Sequence, residues 1–64
     1  MSIPRRDEIK HGDSVLVIRK MDQPTGRLTG GKVLKHLTTS ATHPHGIKVM
    51  LESGVVGRVQ QVLK

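Results

Sequence analysis

GIKVMLESGVVGRVQQVL, residues 46–63, is the stretch on which the fold turns. Ile47, Val49 and Leu51 fall on one side of an extended chain, and Lys48, Met50 and Glu52 on the other. That period of two predicts a strand with one face toward a core. Ser53-Gly54 then supplies a two-residue hairpin turn, with glycine taking the positive φ that other residues resist. Val55–Leu63 returns as the partner strand, and Gly57 within it marks a bend of the kind a small barrel needs at a corner.

Working outward, SVLVIRK (Ser14–Lys20) follows the turn signal His11-Gly12-Asp13 and is short and β-branched, so it reads as another strand. Val15, Val17 and Arg19 share one face; Leu16, Ile18 and Lys20 share the other. Apolar residues on both faces suggest a strand at the centre of a small barrel. GKVLKHLT (Gly31–Thr38) is a further strand in which Val33, Leu34 and Leu37 are unevenly spaced, predicting a bulge or a helical turn. A fifth short strand comes from Ile9-Lys10 or from the C-terminus. The order is strand, long loop, strand, loop, strand, tight turn, strand. It predicts an all-β fold, a small SH3-like barrel of four to five short strands whose closure removes open edges.

The chain has 64 residues, enough for one domain. We place that domain at residues 9–64, after a flexible lead-in at 1–8. A domain of this size buries only ~60% of its unfolded surface and has little stability in reserve. With no cysteine there is neither a disulfide nor a thiolate zinc site, which fits a reducing, cytoplasmic setting. No apolar run approaches the ~18 residues of a membrane span, and MSIPRRDEIKHGD has no signal-peptide apolar region. There is no Phe, Tyr or Trp, so the core is aliphatic.

Eleven Lys and Arg stand against five acids, a formal net charge of +6. The excess is uneven. Residues 1–13 carry three cations and three acids and sum to zero, whereas residues 14–36 carry five cations against Asp22, a net +4. Residues 37–64 carry Lys48, Arg58 and Lys64 against Glu52, a net +2.

Two motifs invite sharper readings. From Gly26 the chain spells GRLTGGKV, the G-x-x-x-x-G-K of nucleotide-binding P-loops, but Val33 stands where a magnesium-binding hydroxyl belongs. The segment after Lys32 looks like a strand, not the required helix. A single βαβ unit takes ~30 residues, so the sheet does not fit. Nucleotide binding is therefore not expected. The remaining reading is a basic glycine loop: Gly26, Gly30 and Gly31 leave backbone N–H groups unshielded between Arg27 and Lys32, able to approach a phosphate. THPHG (Thr42–Gly46) places His43 and His45 two apart, with His36 seven residues back. Imidazoles suit zinc, copper or nickel, yet structural zinc wants four ligands and no carboxylate lies between Asp22 and Glu52. We expect no metal and no cofactor. Pro44 makes His43 extended, and a neutral loop histidine can become cationic near a phosphate.

Asp22, Gln23, Thr25-Gly26, Leu28-Thr29, Gly31, the THPHGIKV run (Thr42–Val49), Gly54 and Val56-Gly57-Arg58-Val59 together resemble the YwbE-like family of small, mostly bacterial proteins. The resemblance runs from about Ile9 to the C-terminus, with Pro24 standing where a basic residue is expected. It brings a family and no activity, so function rests on the residues. Ser14, Ser40 and Ser53 lack an evident base and orienting acid, so an enzyme is not expected. A basic small barrel is the electrostatic footprint of a nucleic-acid binder. The expected contacts are Arg19, Lys20, Arg27, Lys32, Lys35, Lys48 and Arg58, with Gly26, Gly30 and Gly31 as loop backbone and His43 and His45 as accessories. Without Phe, Tyr or Trp rings for bases to stack on, and with Arg planes as the only cationic stacking surface, structured RNA or a ribonucleoprotein held by its phosphates is the expected partner. The alternatives are an acidic protein partner and a surface that is merely solubilising.

Overall fold

The alternation over residues 47–51 sets the geometry of the barrel. Ile47, Val49 and Leu51 are fully buried, Lys48 is exposed and Met50 half-buried. The computed structural model describes residues 3–63, leaving Met1, Ser2 and Lys64 outside the description. Along it run a 3-10 turn at Arg6–Glu8, strand β1 (Ser14–Ile18), a 3-10 turn at Lys20–Asp22, β2 (Thr29–His36), β3 (Lys48–Leu51) and β4 (Val56–Val62). The four strands pair antiparallel in chain order, and β4 returns onto β1 to close the barrel. The all-β small barrel expected from the sequence is the architecture found. Among the described residues no helix is long and apolar enough to cross a membrane.

The interior is aliphatic throughout: Ile9, Val15, Val17, Val33, Ile47, Val49, Leu51 and Val59. Ile9 fills it without belonging to a strand, so no fifth strand forms there. His36, at the end of β2, donates from Nε2 to the Ile9 carbonyl at 2.6 Å, since a carbonyl can only accept. Arg6 fastens the preceding turn, its N–H to the Ala41 carbonyl (2.9 Å) and its Nε–H to the Thr38 carbonyl (2.8 Å). Residues 3–8, within the lead-in expected to be flexible, therefore carry a turn tied to the β2–β3 connection.

Three local expectations change. The β3–β4 turn has three residues, Glu52–Gly54, not two: Gly54 N–H donates to the Leu51 carbonyl (2.9 Å) and Leu51 N–H to the Val55 carbonyl (2.8 Å). Gly54 has φ 92°, the left-handed residue that follows a type I turn in such hairpins. Glu52 N–H is taken up elsewhere, by the Lys32 carbonyl of β2 (2.8 Å).

Second, β1 ends at Ile18. Arg19 therefore does not share the inner face of Val15 and Val17; it starts the next turn. Third, β2 begins at Thr29, so Gly30 and Gly31 are strand residues opposite Leu16 and Val15. The expected bulge is present: Val33 faces Leu51 and Lys35 faces Met50, leaving Leu34 as the extra, exposed residue.

Gly57 has a different role from a bend. A Cβ there would lie 2.8 Å from Val17 Cγ2 and 2.9 Å from the Ile18 carbonyl oxygen, so glycine lets β4 approach β1. The register irregularity comes later. Val59 faces Val17 and Gln61 faces Leu16, with Gln60 the extra residue between them.

Val49→Asp is expected to abolish the cooperative thermal transition, because an unpaired buried carboxylate costs several kcal/mol, roughly the whole stability of a small domain. Lys48→Asp should melt cooperatively. Gly57→Ala should lower stability by about 1–3 kcal/mol in urea melts through overpacking. A Val49→Asp variant melting near the parent would show the inward register to be wrong.

Candidate anion-binding groove

The groove begins with Asp22. Its carboxylate is nearly buried and accepts from Arg19 Nε–H at 3.0 Å. Its carbonyl accepts from Gly26 N–H (2.8 Å) and from Thr25 N–H and Oγ1–H, both at 3.2 Å. Gly26 has φ 75°, which a side chain would resist. Residues 19–26 are thereby wound into a compact turn that holds Arg19 and projects Lys20 and Met21, the latter 73% exposed.

The opposite wall comes from β3 and β4. Lys48 lies directly across from Arg58, which in turn faces Ile18 of β1, so an outer-face row runs Ile18, Arg58, Lys48. The next row is Val56, Met50, Lys35. Leu51 N–H bonds to Val55 and Val59 N–H to Ile47, which makes 51/55 and 47/59 the hydrogen-bonded pairs. By alternation Lys48/Arg58 is a non-hydrogen-bonded pair, the kind whose side chains lie closest.

Between the turn and the hairpin opens a groove of about 620 Å³. Arg19, Lys20, Lys48 and Arg58 supply its charge, and Ile18, Met21, Val55 and Val56 its apolar floor. Gln23 and Gly57 complete the lining, and no carboxylate residue is among them. Four cations beside an apolar wall concentrate a positive field where an anion would sit.

Of the seven cations expected to bind, four are thus brought together. Arg27, Lys32 and Lys35 are exposed but do not line the groove. The expected glycine loop is corrected. Gly26 is in the turn, but Gly30 and Gly31 are locked into β2 against β1, so no run of free N–H groups is left to cradle a phosphate. At Gly31 a Cβ would lie 2.8 Å from Leu51 Cδ1 and would have to displace the tip of that side chain. The groove residues that sequence reading passed over are Ile18, Met21, Gln23, Val55 and Val56. None carries a charge or a recognised binding motif, although Gln23 and Val56 belong to the family pattern, and the turn around Asp22 brings them together.

The THPHG segment lies beside this groove. His45 N–H donates to His43 Nδ1 at 3.0 Å. With Nδ1 occupied, the neutral His43 ring carries its proton on Nε2, so neither nitrogen offers a lone pair to a metal. Among the described residues no group of three or more His, Cys, Asp or Glu gathers as a metal-binding cluster. Loss of hydration, then the Arg58 guanidinium beside it, then His45, hold His43 below the ordinary imidazole range.

Calorimetry with zinc, nickel or copper should show no tight one-to-one binding; a sub-micromolar site lost in both His43→Ala and His45→Ala would overturn this. Asp22→Ala should cost about 1 kcal/mol in a urea melt, the scale of a partly exposed charged hydrogen bond. It should also loosen the groove's Arg19 wall, visible as faster amide exchange over residues 23–26.

A family model described as an uncharacterized conserved protein (DUF2196) matches residues 2–62. The chain is 49% identical over 63 residues to the Bacillus subtilis (strain 168) protein named "Uncharacterized protein YwbE", a match that covers 98% of this chain and 97% of that one. No solved structure matches it. Matched along nearly its whole length by the family model, and end to end by a relative sharing half its residues, this chain belongs to the DUF2196 family of uncharacterized conserved proteins.

Proposed function

We propose that this protein is a small, cytoplasmic, non-enzymatic binding module that holds RNA, free or within a ribonucleoprotein, by its phosphate backbone in the groove. One observation carries the reading. Lys48 and Arg58 are a directly opposed, non-hydrogen-bonded pair of like charges in a groove lined by no acid. Like charges so placed destabilise a sheet. A marginal domain keeps such a cost where an external anion relieves it.

The composition narrows what that anion is. With no Phe, Tyr or Trp, base stacking is left to imidazole and guanidinium planes, so contacts fall mainly on phosphates and sugars. The groove supplies cations and aliphatic surface and no nucleophile with a base, which favours binding over catalysis. The aliphatic floor of Ile18, Met21, Val55 and Val56 favours a second reading, an acidic protein partner that also offers apolar side chains.

Fluorescence anisotropy with an RNA hairpin should give log affinity falling linearly with log salt, with a slope of roughly −3 to −4 for four phosphate contacts. Replacing Lys48 and Arg58 together with Ala should weaken every RNA alike and make the slope shallower by about one to two units. The Arg27→Ala/Lys32→Ala pair should have the smaller effect. Lys48→Glu should raise the melting temperature and abolish binding, a pairing that a merely solubilising surface would not produce. RNA affinity unmeasurable at low salt, together with capture of an acidic protein that survives RNase, would replace this reading with the second one.

A further inference from the structure

The β2–β3 connection ends in a turn locked onto β4. Gly46 N–H donates to the His43 carbonyl at 3.0 Å, closing His43-Pro44-His45-Gly46. Proline presets φ at the second position, and no described non-glycine residue has positive φ, which excludes a type II turn. Inside it, the His45 N–H to His43 Nδ1 bond repeats the geometry of an Asx-turn, with imidazole in place of a carboxamide.

Three bonds hold this turn against β4. Arg58 Nη1 donates to the Gly46 carbonyl (3.0 Å), Gln60 Nε2 to the His45 carbonyl (2.9 Å) and Val59 N–H to the Ile47 carbonyl (2.9 Å). Gln60 is the extra residue of the β4 irregularity. A Cβ on Gly46, at φ 101°, would collide with the Val59 carbonyl oxygen. The His43 and His45 rings are 5.7 Å apart. His43 thus presents a fixed Nε2–H beside a cation that also lines the groove.

We infer that His43 and Arg58 form one oxyanion subsite at the groove's end, where His43 donates from Nε2 and takes up a proton when a phosphate binds. The inference rests on the phosphate reading of the groove. Arg58 spends Nη1 on Gly46 and keeps Nε and Nη2 for a ligand. The charged groups bearing on His43 are Arg58 from β4 and His45 from its own turn, and both oppose its cation. A bound phosphate offsets the Arg58 field and attracts the imidazolium. Bound His43 therefore titrates higher than free His43. The added affinity is fully present below the free value and is lost as pH rises through the bound value.

The test is NMR titration of the four imidazoles in the full chain, free and with two probes that do not titrate between pH 5 and 8. One is inorganic sulfate, a tetrahedral dianion; the other is an RNA hairpin, whose phosphodiesters stay ionised throughout. His43 should move up by about one unit, while His11 and His36 stay in place. Binding should be about tenfold tighter well below the His43 midpoint than above it. His43→Asn keeps the turn through Oδ1 and keeps one N–H donor but cannot titrate. It should bind at pH 8 like the parent and show no such pH dependence. His43→Ala should bind several-fold more weakly.

If the RNA hairpin binds while His43 titrates unchanged, the subsite is wrong and the RNA reading stands. If sulfate moves His43 and the RNA hairpin does not bind, the subsite stands and the RNA reading falls. Silence with both probes overturns both. A pH dependence surviving in His43→Asn assigns the proton elsewhere and overturns the inference.

Discussion

The approach of β4 to β1 at Gly57 is the contact the rest of the molecule depends on. Any side chain there would meet Val17 and the Ile18 carbonyl. Without that approach the sheet stays open and two edges remain unpaired, a liability in so small a protein. With it, four strands of four to eight residues enclose eight aliphatic side chains. The same closure aligns Ile18, Arg58 and Lys48 in one row. The glycine that completes the core also builds the floor of the groove.

That groove gathers like charge at a cost to stability. Arg19 is already partnered by Asp22, so its charge is partly used to shape the turn. Lys48 and Arg58 have no acid beside them in the groove lining and face each other. Arg58 is additionally committed to the Gly46 carbonyl, which couples the hairpin to the THPHG turn. One guanidinium therefore joins the cationic wall to the imidazole pair.

The glycines show how one residue type carries different physical meanings. Gly26 and Gly54 have positive φ and open space where a Cβ would stand, so they are glycine for backbone conformation. Gly57 has ordinary φ and no room beside the Ile18 backbone, so it is glycine for packing, whereas at Gly31 a side chain would have to displace the tip of Leu51. Gly46 is glycine for both conformation and packing. Read along the chain, Gly26, Gly30 and Gly31 look like one phosphate loop. Their environments, which separate them, are invisible in the sequence because the neighbours of Gly30 and Gly31 come from Leu16 and Leu51.

Periodicity by itself determined the barrel class, the inward face of β3 and the β4 return, because a two-residue period needs only local geometry to sort residues onto faces. Composition alone determined an aliphatic core, because there is no Phe, Tyr or Trp to fill it. The uneven spacing of Val33, Leu34 and Leu37 marked an irregularity, and the pairing of β2 with β3 decided that it is a bulge and not a helical turn. Tertiary structure decided where the cations meet. Arg19 and Lys20 are nearly forty residues from Arg58, and they share a groove only because β4 closes on β1 and Asp22 winds the turn between. It also decided that Arg27 and Lys32 stand apart and that His43 sits beside Arg58. These are relations between distant segments, fixed by register, bulges and one close backbone approach, and no local pattern encodes them.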